Sequence, residues 1–119
     1  MWDTMDWGDG VFSTVEEYVA TMIRIAEVLK KCAPTVIFAT TTPVTPEYPY
    51  SNLERIRQYN SALVPELEKR GVLIHDLHSF VYPNLDAFIR KDDHIHLTEE
   101  GILACANQIK QVILEHFQN

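Results

Sequence analysis

Three stretches of the chain repeat apolar residues at every third or fourth position, the spacing that places them on one face of a helix. They cover residues 15–31, 53–67 and 98–117, and polar residues occupy the remaining positions of each stretch. Helices of this length and pattern bury one face against a core and leave the other in water. The chain is therefore predicted to contain three main amphipathic helices.

Each predicted helix is preceded by a residue that can cap its free amides. Ser13 and Glu16 have the spacing of a capping box before the first helix. Asn52 suits the start of the second helix and Thr98 the start of the third. These residues set the predicted helix beginnings.

Two short apolar segments separate the helices and are predicted to be strands. Residues 35–39 and 72–74 are β-branched and apolar on both faces, which is typical of parallel strands covered by helices. Residues 40–46 form a loop after the first strand, at the edge where open α/β sheets bind ligands. A short helix is expected near residues 85–89. The strand, helix and strand in the middle of the chain make a βαβ unit.

The predicted fold class is α/β, an incomplete three-layer αβα doubly wound parallel sheet with about two strands and three main helices. Two parallel strands do not make a stable sheet alone. We therefore expect residues 1–119 to be a single partial domain. Either further strands precede Met1, or a second copy of the chain completes the sheet through the exposed strand edges.

The composition is that of a soluble globular protein, with 46% hydrophobic and 23% charged residues. A net charge of -7 and scattered basic residues argue against nucleic-acid binding. No apolar run is long enough to span a bilayer, so we expect no membrane partner. The two cysteines have no metal-like spacing. A cytoplasmic location is the default expectation, and export stays open if the N-terminus is truncated.

The candidate chemistry lies in Asp93-His94-Ile95-His96, just before the third helix. An imidazole can take a proton from a hydroxyl near neutral pH and return it to a leaving group. A carboxylate that accepts the Nδ1 proton fixes the imidazole in the tautomer this needs. The sequence thus predicts that Asp93 orients His96 in a hydrolytic site.

Together with its surroundings, this segment resembles the C-terminal half of the SGNH hydrolases, also called GDSL esterases and lipases. Asp93-x-x-His96 followed by Gly101 matches the last block of that family. The preceding strand with Pro43, the Tyr59-Asn60 pair and the segment 72–77 agree in order and spacing. The resemblance covers nearly the whole chain. It implies an α/β hydrolase of small acyl esters, acetyl esters among them, that needs neither cofactor nor metal.

Carried over by residue, the resemblance implies that His96 is the general base and acid and that Asp93 orients it. The family's serine nucleophile and the other oxyanion-hole donors have no match here. Gly8-Asp9-Gly10 has a glycine where the serine would stand, and Trp2-Asp3 resembles the end of the family's Asn-containing block. We therefore expect the chain alone to be inactive and the serine to come from outside it.

Five further residues are candidates for lining a substrate pocket: Trp2, Asp3, Thr42, Pro43 and His94. Trp7 could line an acyl pocket together with Trp2 and the loop 41–43, although apolar aromatic residues cover a core more often than a substrate. Two other interpretations stay open. His94 and His96 form an H-x-H pattern that in an extended segment could hold zinc. Alternatively, the chain is a non-catalytic α/β module that assembles with itself or with a partner through unpaired strand edges.

Overall fold

The computed structural model of the protein describes residues 1–117. The three long helices are α1 (Val15–Cys32), α2 (Leu53–Glu68) and α5 (Glu99–Phe117), and the two short ones are α3 (Leu77–Val81) and α4 (Leu85–Phe88). The strands are β1 (Ile37–Ala39) and β2 (Leu73–His75). Single 3-10 turns span Trp2–Thr4 and Tyr82–Asn84.

Strands β1 and β2 pair in parallel, with Phe38 opposite Ile74. Helix α2 connects them, so the predicted βαβ unit is present, and the predicted α/β class with two parallel strands is confirmed. Strand β2 begins one residue later than predicted because the Val72 amide donates to the Leu67 carbonyl oxygen (3.1 Å). Val72 therefore still belongs to the turn that follows α2.

The larger core cluster lies between α1, α2 and one face of this sheet. Phe38 and Ile74 point to the same face because they are directly paired, and both pack against the cluster. Its buried members come from both helices and from the residue that precedes β2: Tyr18, Ala26, Tyr59, Leu63, Leu67 and Val72. The amphipathic faces predicted for the first two helices therefore meet over the sheet.

A second cluster joins α3, α4 and the beginning of α5, with Val81 and Ile89 fully buried. Helix α5 approaches α4 closely at Gly101. A Cβ atom added there would lie 2.5 Å from the carbonyl oxygen of Phe88, too close for any side chain. Thr98 caps α5 as predicted, since its Oγ1 accepts a hydrogen bond from the Gly101 amide (3.0 Å). These contacts fix where α5 starts.

Helix α1 is capped by Thr14 and not by Ser13. The Thr14 side chain accepts from the Glu17 amide and the Glu17 carboxylate accepts from the Thr14 amide, which makes a complete capping box. The Ser13 hydroxyl instead donates to Asp3 Oδ1 (2.8 Å). The prediction was wrong by one residue because two overlapping pairs have capping-box spacing and Asp3 engages one of them. Among residues 1–117, no helix has both the length and the apolar character that a bilayer crossing requires.

Candidate active site

The segment between α4 and α5 is a closed loop that carries the predicted acid-base pair. Ile89 and Leu97 form an antiparallel bridge at its base, and the Arg90 amide donates to the His96 carbonyl oxygen (2.8 Å). The His94 amide donates to the Arg90 carbonyl oxygen (3.0 Å), and His94 has a φ of 66°, in the left-handed region. This reversal returns the chain toward the bridge, so the loop is held by its own backbone.

Inside the loop, Asp93 and His96 are in direct contact. His96 Nδ1 lies 2.9 Å from Asp93 Oδ2. The other carboxylate oxygen accepts hydrogen bonds from the amides of Ile95 (3.1 Å) and His96 (3.0 Å). These two backbone amides, assisted by the His96 side chain, lower the pKa of Asp93 from its ordinary 3.8 to about 2. Asp93 is therefore ionised at neutral pH and accepts a hydrogen bond from the protonated His96 Nδ1.

This arrangement leaves Nε2 as the nitrogen of His96 that can exchange a proton with another group. The His96 side chain is 74% exposed, whereas that of Asp93 is 32% exposed. The carboxylate is thus the more sheltered partner and the imidazole the more accessible one. That is the division of roles in which a carboxylate orients a general base.

The neighbouring Asp92 is engaged elsewhere, by Arg90. The Arg90 Nε donates to Asp92 Oδ1 (2.9 Å), and a second guanidinium nitrogen contacts Asp92 Oδ2. This pair lowers the pKa of Asp92 and raises that of Arg90. Arg90 Nε is 3.7 Å from Asp93 Oδ2, a longer contact. Of the two adjacent aspartates, only Asp93 holds the histidine.

The loop after β1 lies beside the acid-base loop and is fixed from two sides. The Asn60 side chain on α2 bonds both the amide and the carbonyl oxygen of Thr41, each at 3.0 Å. Thr45 bonds His94 through backbone (3.1 Å) and through its hydroxyl to Nδ1 (2.8 Å). The carboxyl end of β1 therefore brings Thr42 to the site, as parallel sheets commonly do.

His96 lies on the wall of a cavity of about 760 Å³. Nine of its twelve lining residues are apolar or aromatic, namely Met1, Trp2, Met5, Trp7, Tyr48, Tyr50, Ile95, Leu97 and Ile102. The three polar ones are Thr42, Arg90 and His96. We call this space the His96 cavity; its volume and lining are those of a small-molecule site.

Of the five predicted pocket residues, Trp2 and Thr42 line the His96 cavity, as Trp7 does, and the other three lie elsewhere. Pro43 is fully buried in the loop after β1. Asp3 accepts a hydrogen bond from the Ser13 hydroxyl. His94 turns toward Thr45 and lines a separate cavity. The sequence missed Tyr48, Tyr50 and Ile102, which local patterns do not link to the site because they come from distant segments.

No serine among residues 1–117 lines the His96 cavity. Ser13 is bonded to Asp3, and Ser51 is buried against Thr4 (2.8 Å). Ser79 donates to Asp76 Oδ2 (2.6 Å), and Ser61 lies on α2 beside another cavity. The site therefore contains an oriented histidine without a serine from the described part of the chain.

A second histidine, His78, is buried at the start of α3. Its Nδ1 lies 2.8 Å from the Thr41 carbonyl oxygen, which can only accept, so Nδ1 carries the proton. Its Nε2 is buried without a hydrogen-bond partner within residues 1–117. The amide of His78 donates to Thr40 Oγ1 (3.0 Å), which in turn donates to Asp76 Oδ1 (2.9 Å). His78 belongs to a network that ties the strand ends together.

The H-x-H pattern does not form a metal site in the described residues. His94 and His96 direct their Nδ1 atoms to Thr45 and to Asp93, respectively. Across residues 1–117, no group of three or more His, Cys, Asp or Glu side chains is arranged to hold a metal ion. The left-handed conformation of His94 means that the segment is not the extended strand the zinc hypothesis assumed.

Comparisons with known proteins place the fold among esterases and hydrolases. No protein-family model and no curated protein sequence matches the chain. The solved structures that resemble it include the following two. The first is the esterase domain of the ZfL2-1 ORF1 protein from the zebrafish ZfL2-1 retrotransposon, with a TM-score of 0.72 and 14% identity over 86% of this chain and 64% of that one. The second is LAE5, an alpha/beta hydrolase enzyme from the metagenome of Lake Arreo, Spain, with a TM-score of 0.67 and 21% identity over 81% of this chain and 45% of that one.

These similarities establish a hydrolase-like α/β fold. The chain spans about two thirds of the first structure and under half of the second. At such identities the likeness concerns the fold, and the same fold can host different activities. The side chains of the site, and not the fold, therefore define what the protein can do.

Proposed function

We propose that this chain is the C-terminal part of an SGNH-type serine esterase and supplies the acid-base half of its active site. The observation that carries the proposal is the contact between Asp93 and His96 at the wall of an apolar cavity. The D-x-x-H motif with Gly101 and the fold shared with an esterase domain support it. The serine comes from a segment outside this chain.

The proposed reaction uses His96 twice. His96 Nε2 takes the proton of the serine hydroxyl while the serine oxygen bonds to the ester carbonyl carbon. The bond to the alcohol oxygen then breaks, and the imidazolium returns its proton to that oxygen. Water attacks the resulting acyl-enzyme in the same way, which releases the acid and the serine. Asp93 stabilises the imidazolium in both steps because it is ionised and directly bonded to Nδ1.

The test compares residues 1–119 alone with the same residues joined to any coding sequence found upstream. We expect a fluorophosphonate probe to label no serine in the first protein and one serine in the second. The second should hydrolyse p-nitrophenyl acetate, and His96→Ala should lower its turnover by several orders of magnitude. Near-normal turnover of the His96→Ala variant would refute the assignment.

A second candidate function is a non-catalytic module that associates with itself or with a partner. Several large apolar side chains on α1 and α5 are exposed, Val28 at 59% and Leu103 at 66% among them. Within residues 1–117, the outer edge of each strand in the two-stranded sheet has no strand partner. If the same experiment gives no labelled serine and no turnover in either protein, that result would favour this candidate.

A further inference from the structure

Four aromatic side chains form a continuous wall along the His96 cavity. Trp2 and Trp7 have ring centroids 5.5 Å apart, Trp7 and Tyr50 are 6.2 Å apart, and Tyr50 and Tyr48 are 5.8 Å apart. All four line the cavity. We call this set the aromatic wall. Its rings support one another, so the wall is a preformed surface.

The wall is unusually open to solvent. Trp2 is 65% exposed, Trp7 50% and Tyr50 42%. Single exposed apolar residues are common, but a contiguous group of large aromatic rings beside an ordered imidazole is typical of a binding surface. The exposed wall and His96 border the same space, so a ligand resting on the wall would have one end near His96.

The remaining lining indicates what kind of ligand fits. Met5, Leu97 and Ile102 add aliphatic and thioether surface to the cavity. The one arginine in the lining, Arg90, is already paired with Asp92. An apolar chain gains from every methylene that such surfaces cover. A sugar ring could stack on tryptophan too, but its hydroxyl groups would face a lining with few polar partners.

We infer that the aromatic wall binds the acyl chain of the ester, and that the site therefore selects medium-length acyl groups such as octanoyl over acetyl. The inference deepens the proposed function and rests on it for the ester itself. Chain binding, however, needs no nucleophile and can be measured on residues 1–119 as they are. This preference also differs from the small acyl group that the family resemblance implies.

The experiment titrates residues 1–119 with sodium octanoate, sodium acetate and methyl glucoside, followed by tryptophan fluorescence and calorimetry. Both tryptophans of the chain lie in the aromatic wall, so the fluorescence reports on the wall alone. We expect saturable binding of octanoate at least about tenfold tighter than that of acetate, because the extra methylenes are buried. Methyl glucoside should leave the fluorescence unchanged.

Substitutions in and outside the aromatic wall test whether octanoate binds there. Trp7→Ala should weaken octanoate binding by about tenfold or more, and Trp7→Phe should largely restore it. Phe12→Ala is the matched control, since Phe12 is 68% exposed and lies outside the cavity lining. Circular dichroism melts show whether each variant is folded before it is titrated.

The outcomes separate this inference from the proposed function. Octanoate binding that His96→Ala leaves intact, together with no turnover by the protein joined to its upstream coding sequence, would support the chain site and reject the esterase. Turnover that depends on His96 but favours acetyl esters, without octanoate binding, would overturn the chain site and keep the esterase. Binding of methyl glucoside in place of octanoate would overturn the inference in favour of a sugar ring.

Discussion

His96 and His78 each engage Nδ1 in a hydrogen bond, His96 with the Asp93 carboxylate (2.9 Å) and His78 with the Thr41 carbonyl oxygen (2.8 Å). Their surroundings are opposite. The His96 side chain is 74% exposed, whereas His78 as a residue is 6% exposed with Nε2 enclosed. A carboxylate stabilises an imidazolium by its charge, and a neutral carbonyl does so far less. The partner of Nδ1 and the solvent access of Nε2 therefore together determine which histidine can exchange protons with a substrate.

The largest expected effect comes from changing the Nδ1 partner of His96. In the protein that carries the nucleophile, Asp93→Asn should lower kcat/KM for p-nitrophenyl esters by about 10⁴, because an amide no longer holds the required tautomer. Asp92→Asn is the matched control, since Asp92 bonds Arg90 and not the histidine. We expect a loss of roughly threefold or less there, as for an exposed ion pair. Equal losses in the two variants would show that the Asp93 carboxylate is not what sets His96 apart from His78.

For the free energy of unfolding the order of the two histidines should be reversed, because replacing His78 should cost more stability than replacing His96. His78→Ala deletes a buried ring and its bond to the Thr41 carbonyl, so we expect it to lower the free energy of unfolding by about 2–3 kcal/mol. His96→Ala removes an exposed ring and should change it by about 0.5 kcal/mol or less. Urea unfolding of residues 1–119 measures both. A larger loss for His96→Ala would contradict the comparison.

The smallest expected effect is a loss of loop stability at low pH, when Asp93 becomes protonated. Asp93 has a folded pKa of about 2 against an ordinary 3.8, so it stabilises the folded loop above pH 3.8 and loses that contribution as the pH falls through 2. The amide resonances of Ile95 and His96, which donate to this carboxylate, should therefore titrate with a midpoint near 2.

The Ser79 amide provides the companion measurement near His78, because it donates to Asp76 Oδ1 (3.2 Å). Burial acts to raise the pKa of Asp76, but hydrogen bonds from Ser79 and Thr40 outweigh it and lower the pKa. The Ser79 resonance should therefore also titrate below 3.8. A midpoint near 3.8 for the Ile95 and His96 amides would show that the Asp93 hydrogen bonds do not persist in solution.

The parts of the site that the sequence predicted are local. Asp93 and His96 are three residues apart, and that spacing alone makes their contact feasible in a tight loop. Helix caps are local too, yet Ser13 and Thr14 offered equivalent patterns. The choice between them depended on Asp3, ten residues before Ser13, whose position only the folded chain provides.

The parts that could not be predicted depend on distant segments. The His96 cavity combines the N-terminal turn, the loop after β1 and the start of α5, so no local pattern contains it. His94 illustrates the limit within a single motif. Its left-handed backbone turns its ring toward Thr45, 49 residues away, where an extended chain would have placed it beside His96.

Gly101 has a mechanical consequence. Helix α5 starts two residues earlier and continues for 19 residues, a length of about 28 Å at 1.5 Å per residue. The contact between Gly101 and the Phe88 backbone therefore fixes the angle at which the helix leaves the rest of the fold. A methyl group at position 101 would tilt the whole helix, and the displacement would grow with distance from that contact. One missing side chain at its base therefore sets where the far end of the helix presents its apolar residues.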